Sequence, residues 1–163
     1  MEGCESMHTV EKALSVRGRW DRLDQRMIGF MTARGVGLLR VALAIVFIWF
    51  GALKVARVSP VADLVAGTVY WLQPEQFVPF LGLWEIIVGL GLLLGIALRL
   101  VLLLFWLQLA GTFLVLIMRP EISFQSGNPL LLTVTGEFVI KNLVLIAAGL
   151  VIGSTVPRTP RSR

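Results

Sequence analysis

The chain has 163 residues, of which 56% are hydrophobic and only 15% are charged. Soluble domains are usually about a quarter charged, and the apolar residues here lie in long runs, so the composition favours a membrane protein over a large soluble core. The formal net charge of +5 is concentrated in the two tails. Neither tail combines a basic run with interleaved aromatic residues, and no soluble nucleic-acid-binding module is recognisable, so we expect no nucleic-acid partner.

The N-terminal segment, residues 1–35, is a polar basic tail that predicts an interfacial amphipathic helix. Apolar and aromatic side chains recur in it at helical spacing, and arginines lie away from that stripe, a pattern typical of a helix on anionic lipid. The stripe consists of Trp20, Leu23, Met27 and Phe30. The arginines are Arg19, Arg22 and Arg26. A helix that docks onto a partner protein is the alternative interpretation. The segment is too polar for a cleavable signal peptide, and its lone Cys4 cannot form an internal disulfide.

Apolar runs predict four membrane-spanning helices, at about residues 36–54, 80–97, 100–118 and 134–152. The second and third runs form one apolar block, residues 80–118, which as a single helix would be about 58 Å long. Because the hydrocarbon layer is only about 30 Å thick, this block must turn back, and the stretch from Gly95 to Arg99 is the best place for the turn. The expected fold class is therefore all-α, a four-helix transmembrane bundle over residues 36–153.

The placement of arginines predicts the orientation of this bundle. Both tails are rich in arginine, the C-terminal tail being residues 154–163, and the expected tight turn carries Arg99. Lysine and arginine beside membrane spans favour the cytoplasmic face, so we expect both termini and this turn to be cytoplasmic. On the opposite face, residues 59–74 predict a short outer loop helix, with Ser59 as its N-cap and Pro60 at its first position.

Two further features are expected on the outer face. Tyr70 and Trp71 suit the headgroup belt, where aromatic side chains with a polar end are enriched. Residues 123–130 are rich in turn-forming residues and are expected to stay irregular.

Four ionisable side chains are expected in one layer of the membrane, in the outer half of the bundle. They are Lys54, Glu85, Glu137 and Lys141. Two are acidic and two are basic, so the set can be neutral, which offsets the cost of about 2.5–3.5 kcal/mol for a single lysine, arginine or aspartate at a helix centre. We expect Glu85 to pair chiefly with Lys54, with Lys141 as the competing partner. Gly82 and Gly89 share the face of Glu85 and would let a neighbouring helix approach closely.

Other residues of the spans are candidates for the same site. Gln108 and Asn142 are polar positions of the third and fourth spans, and the secondary candidates are Arg40, Arg99, Trp49 and Trp84. Ionisable residues inside a membrane mark functional sites by default, whereas a neutral polar clasp that fixes helix register is the structural alternative. Arg40 can also extend to the nearby membrane surface, and the tryptophans suit the interface belt.

Patterns for catalysis and metal binding are missing from the sequence. Haem between membrane helices commonly needs histidine ligands, and the only histidine is His8 in the tail. The sequence has no Glu-x-x-His pairs for a di-iron bundle, no Cys/His cluster for zinc and no phosphate-binding glycine loop after a strand. We therefore expect no catalytic residues, no metal and no intrinsic cofactor, and an independent enzyme is not expected.

Three segments carry a resemblance to a known family. FGALK at 50–54 closes the first span, LWEIIVGLGLLLGIALRL follows at 83–100, and GEFVIKNLVLIAAGLVIG fills the last span at 136–153. Together they resemble the DoxX superfamily of small four-helix membrane proteins and, within it, the YkgB-like branch. The resemblance covers about residues 36–153.

The resemblance implies a multi-pass protein of the bacterial inner membrane, linked to oxidative-stress defence or membrane redox chemistry. Relatives in the superfamily include a subunit of a thiosulfate:quinone oxidoreductase and a scaffold that gathers detoxifying enzymes. The resemblance implies that several polar residues of this chain occupy positions that are typically polar in the family. None of them is an established catalytic residue on that basis. They are Lys54, Glu85, Arg99, Lys141 and Asn142.

Three hypotheses about function remain. The first, which we favour, is a scaffold or accessory subunit of a membrane redox or stress-defence assembly, whose partners would be the lipid bilayer, the enzymes of that assembly and further copies in a homo-oligomer. The second is a subunit that binds quinone or another small molecule with the polar cluster beside Trp49 and Trp84. The third is a proton or solute carrier with Glu85 and Glu137 as a relay, although no inverted repeat is detectable.

Overall fold

The computed structural model describes the backbone of residues 2–60, 62–68 and 73–157, and the side chains of these residues from Trp20 onwards except Ala66. The helices are α1 Glu2–Val55, α2 Ala62–Thr68, α3 Pro74–Leu94, α4 Leu98–Met118, α5 Pro120–Ser123, α6 Val134–Ile140 and α7 Asn142–Ser154. A single 3-10 turn within the described ranges occupies Gln125–Gly127.

Four helical stretches of the described chain are long and apolar enough to cross a membrane. They are Trp20–Val55, Pro74–Leu94, Leu98–Met118 and Val134–Ser154, the last of which combines α6 and α7. No strand forms within the described ranges. The prediction of an all-α fold with four membrane-spanning helices is confirmed.

The start of α3 differs from the predicted span boundary, because the helix begins at Pro74 rather than near residue 80. Proline is well suited to the first position of a helix, because an N–H at that position would have no acceptor within the helix. Pro79 lies inside α3, where it cannot donate to the carbonyl of Glu75. Arg57 Nη2 donates to that carbonyl instead, at 3.5 Å, so the helix continues through the proline.

The chain divides into two compact units, Met1–Leu38 and Leu39–Arg163. In the first unit the backbone is helical from Glu2 onwards, and the side chains of residues 20–34 are exposed. The predicted interfacial helix and the predicted first span both belong to α1, because its helical backbone has no break between them.

A tight turn joins α3 to α4 at the predicted place. Gly95 caps α3 with a φ of 71°, and its N–H donates to the Gly91 carbonyl at 3.0 Å. This left-handed conformation is favourable for glycine, which has no Cβ to clash. Arg99 donates to the carbonyl of Pro157 at 2.6 Å, so the turn and the C-terminal end of α7 lie at the same end of the second unit. Arg40 lies there too, because its guanidinium approaches Gly95.

Glycines allow α1 and α3 to approach until their backbones touch. A Cβ built on Gly82 would lie 2.6 Å from the Gly51 carbonyl oxygen and 2.7 Å from Lys54 Cβ. A Cβ on Gly89 would lie 2.9 Å from the Ala44 carbonyl oxygen. Real Cβ atoms cannot approach backbone this closely, so both positions require glycine. The predicted close approach of a neighbouring helix at Gly82 and Gly89 is present, and that helix is α1.

The apolar core of the second unit is centred on an aromatic pair. The rings of Phe47 and Phe105 lie 5.0 Å apart between centroids, in a tilted arrangement that suits aromatic quadrupoles. Phe105 is fully buried, and so are Val88 and Leu92 of α3. Many leucines and isoleucines face outward from the same helices, as expected for helices whose outer surface contacts lipid.

The loop between α4 and α6 is more ordered than expected. Residues 123–130, which we expected to be irregular, include the end of α5 and the 3-10 turn. The N–H of Thr133 donates to the Ser123 carbonyl at 3.0 Å, and the Thr133 hydroxyl caps α6 by accepting from the N–H of Gly136. These contacts close the loop into a compact structure.

The predicted loop helix is present in the described part of its segment. It occupies Ala62–Thr68 within the expected range 59–74, and residues 61 and 69–72 lie outside the described residues. The carbonyl of Ser59 accepts from the N–H of Ala62 at 3.2 Å, so the chain turns before the helix begins. Tyr70 and Trp71 lie outside the described residues.

We expect Gly82→Ala to lower the free energy of unfolding by about 1–3 kcal/mol, the usual range for overpacking a close contact. Unfolding in detergent micelles, followed by tryptophan fluorescence during titration with sodium dodecyl sulfate, measures this change. Gly111→Ala is the matched control, because nothing lies within 4 Å of a Cβ at that position. Equal stability of the two variants would contradict the close approach of α1 and α3.

Candidate functional site

Lys54 and Glu85 form a buried ion pair between α1 and α3. Lys54 Nζ lies 2.8 Å from Glu85 Oε1 and 2.7 Å from Glu85 Oε2, so both carboxylate oxygens accept from one ammonium group. The two residues are only 5% and 7% exposed. The pairing that the sequence predicts for Glu85 is therefore present, and it joins two charges that would each be costly to bury alone.

Local structure explains why these two side chains meet. Lys54 lies in the last turn of α1, and Glu85 lies one turn after Gly82 on the same face of α3. Because Gly82 has no side chain, Lys54 Cβ packs directly against it, and the flexible lysine side chain reaches the carboxylate. The early start of α3 at Pro74 places Glu85 near the middle of its helix rather than close to its N-terminal end.

Gln108 of α4 completes a group that we call the polar triad, consisting of Lys54, Glu85 and Gln108. Gln108 Nε2 donates to Glu85 Oε1 at 2.5 Å. Gln108 Oε1 is buried and has no hydrogen-bond partner in the described part of the chain. The lysine ammonium has three N–H donors, and the Glu85 oxygens accept two of them. The triad is thus electrically neutral and links three helices. It retains Gln108 Oε1 as an acceptor, and one N–H of Lys54 and one of Gln108 as donors, for a further partner.

A second polar contact joins α7 to α4 one turn further along α4. Asn142 Nδ2 donates to Thr112 Oγ1 at 2.8 Å, and the Thr112 hydroxyl donates to the Leu109 carbonyl at 2.7 Å. Asn142 is 9% exposed. This predicted candidate residue therefore lies in the interior, but its contact is with Thr112 and not with the polar triad.

Glu137 and Lys141 do not join the polar triad, in contrast to the expected cluster of four ionisable residues. Both side chains are exposed, and neither is ion-paired or hydrogen-bonded to another described side chain. The reason is helix rotation, because Gly136 and Asn142 occupy the interior face of α6 and α7. Gln108, rather than Lys141, is the third group at Glu85.

The secondary candidates also lie apart from the triad. Arg40 and Arg99 belong to the end of the unit that carries the α3–α4 turn. Trp49 is 65% exposed, as expected for a side chain that faces lipid or the interface. Trp84 is half-buried, and its Nε1 donates to the Leu104 carbonyl at 3.4 Å, so it packs α3 against α4.

Two interior polar residues were not identified from the sequence. Ser123 is fully buried and donates to the Arg119 carbonyl at 3.0 Å, and it lies in a segment whose composition indicated a loop. Trp106 Nε1 is buried without a hydrogen-bond partner among the described residues. It lies against Gly149, where a Cβ would be 2.7 Å from it. The small residues around Gly149 were the only sequence signal for this contact.

The arrangement favours a structural role for the triad in the first instance. The carboxylate of Glu85 is saturated by an ammonium and an amide, so its negative charge is compensated within the protein. Among the described residues, no three His, Cys, Asp or Glu side chains are grouped so that they could hold a metal ion.

Comparison with known proteins agrees with this architecture. A family model for DoxX matches residues 35–118, a region that contains the whole polar triad. The chain belongs to the DoxX family. The match does not distinguish the YkgB-like branch, which stays a prediction. Searches of the curated proteins and of the solved structures find no match.

We expect Lys54→Met to lower the free energy of unfolding by about 3–5 kcal/mol, because it leaves the Glu85 carboxylate buried without a counter-charge. The double variant Lys54→Met, Glu85→Gln should recover most of this loss, since it removes both charges. Denaturant titration in micelles of the two single variants and the double variant measures the coupling. Additive losses would show that the two charges do not interact.

The control for this cycle is the exposed ion pair between Arg119 and Glu121. The hydrogen bond from Arg119 holds the pKa of the Glu121 carboxyl below its usual range, so the pair is fully charged at neutral pH. Because exposed pairs contribute little to stability, Glu121→Gln should leave the unfolding transition almost unchanged.

Proposed function

We propose that this protein is a non-catalytic scaffold or accessory subunit of a membrane redox or oxidative-stress-defence assembly in the bacterial inner membrane. Membership of the DoxX family supports the membrane role, and the resemblance implies the link to redox or stress chemistry. We further propose that both tails are cytoplasmic, because arginines are concentrated in them and at the α3–α4 turn. Partner enzymes would then bind on the cytoplasmic side.

The observation that carries this proposal is the exposed face of residues 20–34 in α1. Trp20 is 67% exposed and Met27 is 63% exposed, and Leu23 and Phe30 are exposed on the same stripe. A soluble helix would normally bury such a stripe against its own core, and large exposed apolar side chains indicate a surface that contacts a partner or lipid. Arg22 and Arg26 lie on one side of the stripe, and Asp21 and Asp24 lie on the other, so the surface offers both signs of charge to a partner.

The polar triad supports a scaffold in a different way. Its charges cancel within the bundle, so it stabilises three helices against one another without leaving an uncompensated charge. An ordered bundle is what an assembly subunit requires, since binding surfaces lose least entropy when their support is already ordered.

We expect Met27→Glu to release partner proteins from the full-length chain, because it places a negative charge in the exposed stripe. The measurement is native mass spectrometry after gentle extraction from the parent membrane in lipid nanodiscs. Wild-type protein should carry at least one redox or detoxifying enzyme, and Met27→Glu should carry less of it.

Gln25→Glu is the matched control, because it makes the same change in charge on the opposite face of the same helical segment. It should retain the enzyme at the wild-type level. Recovery of the bare wild-type chain, or equal retention by Met27→Glu and Gln25→Glu, would contradict the scaffold proposal.

A second candidate function, the binding of quinone, rests on the unused groups of the polar triad. The third N–H of Lys54 can donate to a quinone carbonyl, and Gln108 Oε1, which has no partner among the described residues, can accept from a quinol hydroxyl. The same native mass spectra distinguish this candidate. Quinone retained by wild-type protein and lost from Gln108→Leu would favour it, and spectra without quinone would count against it.

A further inference from the structure

The outward face of the fourth span carries two charges that the chain does not compensate. Glu137 and Lys141 lie within the candidate span Val134–Ser154, and both are exposed. Neither side chain is ion-paired or hydrogen-bonded within the described chain. The neighbouring Val134 and Val144 are 86% and 70% exposed, so no other described residue covers this outward face of α6 and α7.

Depth makes these exposed charges costly. At 1.5 Å per residue, Glu137 lies about 4–5 Å and Lys141 about 10 Å from the start of the span. A single lysine at the centre of a membrane helix costs about 2.5–3.5 kcal/mol, and exposed polar groups in lipid almost always have partners. Lys54 and Glu85 show the solution that this chain uses inside the bundle, since each compensates the other.

Rotation of the fourth span cannot bring the two charges inward. A Cβ on Gly136 would lie 2.2 Å from the Ser123 carbonyl oxygen, so α6 contacts α5 through its backbone at this position. Val139 is 2% exposed, and Asn142 donates to Thr112. These three contacts hold the interior face in place, and they keep Glu137 and Lys141 on the outside.

We propose that Glu137 and Lys141 form the centre of an interface with a second copy of this chain. In a two-fold symmetric dimer with its axis along the membrane normal, the same face meets itself, so Glu137 of each copy lies opposite Lys141 of its partner. The face carries one negative and one positive charge and is therefore complementary to itself. Two intermolecular ion pairs would then remove all four charges from contact with lipid.

Side-chain direction makes this pairing geometrically reasonable. The two residues differ in depth by about 6 Å along the helix. Side chains in a helix tilt toward its N-terminus, so the long lysine side chain extends from Lys141 back toward the level of Glu137. A lysine from one copy can thus reach the glutamate of the other without a shift between parallel helices.

The interface can be tested by cross-linking the full chain in native membranes. In a Cys4→Ser background, Val144→Cys places one thiol on the proposed face, and Ile87→Cys places one on an outward face of α3 that is 54% exposed. We expect rapid disulfide-linked dimers from Val144→Cys and only slow, random cross-links from Ile87→Cys. Equal rates, or cross-links of Val144→Cys to a different protein, would overturn the proposal.

Charge exchange then tests the role of the two residues. Lys141→Glu in the Val144→Cys background puts like charges opposite one another and should raise the dimer dissociation constant by about tenfold or more. Adding Glu137→Lys to Lys141→Glu restores the complementarity and should restore the dimer. A dimer that is insensitive to Lys141→Glu, or that stays dissociated after the double exchange, would contradict the proposed ion pairs.

Thermal unfolding of the same variants separates the interface from the fold. At high dilution any dimer dissociates, so the unfolding transition there is that of the monomer. If Lys141→Glu protein keeps the wild-type transition under these conditions, it is folded and has lost only its partner. If the Lys141→Glu monomer itself unfolds at a lower temperature, the double variant Glu137→Lys, Lys141→Glu decides between the two explanations. A restored monomer without a restored dimer would mean that Glu137 and Lys141 act within one helix, and would overturn the proposal.

Discussion

The buried ion pair between Lys54 and Glu85 is the constraint on which the rest of the bundle depends. A charge in the hydrocarbon layer needs a counter-charge, so the end of α1 must lie beside the middle of α3. That contact is geometrically allowed only because Gly51 and Gly82 bring the two backbones together. Gln108 then fixes α4 to the same carboxylate. One ion pair thereby determines the relative position of three helices.

The fourth span is held by weaker means, and this difference shapes the protein's surface. Its interior contacts are the close approach at Gly136, the packing of Trp106 against Gly149 and a single amide–hydroxyl hydrogen bond. Its own charges face outward. A chain that neutralises one pair of charges internally and exposes another pair is suited to assembly, because the exposed pair gains most when a partner covers it. The exposed stripe at Trp20 and Met27 offers a second surface of the same kind.

Much of this architecture could be read from the sequence. The length of the apolar runs required four spans, and Gly95 marked the turn between the second and the third. The high cost of an isolated charge in a span made the pairing of Glu85 with Lys54 close to obligatory. The start of α3 was missed because the prediction followed the apolar run, which begins near residue 80, whereas the helix begins at Pro74 and continues through Pro79. Arg57 donates to the carbonyl that the proline leaves without a helical donor. The rotation of the fourth span was missed for another reason. Periodicity places Glu137 and Asn142 on different faces but does not say which face is buried, and backbone contact at Gly136 decides this.

The Lys54–Glu85 separation in a lipid bilayer is the most direct test of this account. Solid-state nuclear magnetic resonance can measure the dipolar coupling between ¹⁵N at the Lys54 ζ position and ¹³C at the Glu85 δ position in the full-length chain. With Nζ 2.7 Å from Oε2, the two labelled atoms should lie within about 4 Å, the limit of a direct ion pair. A coupling of that strength is the expected result. No measurable coupling in folded wild-type protein would contradict the central role of the pair.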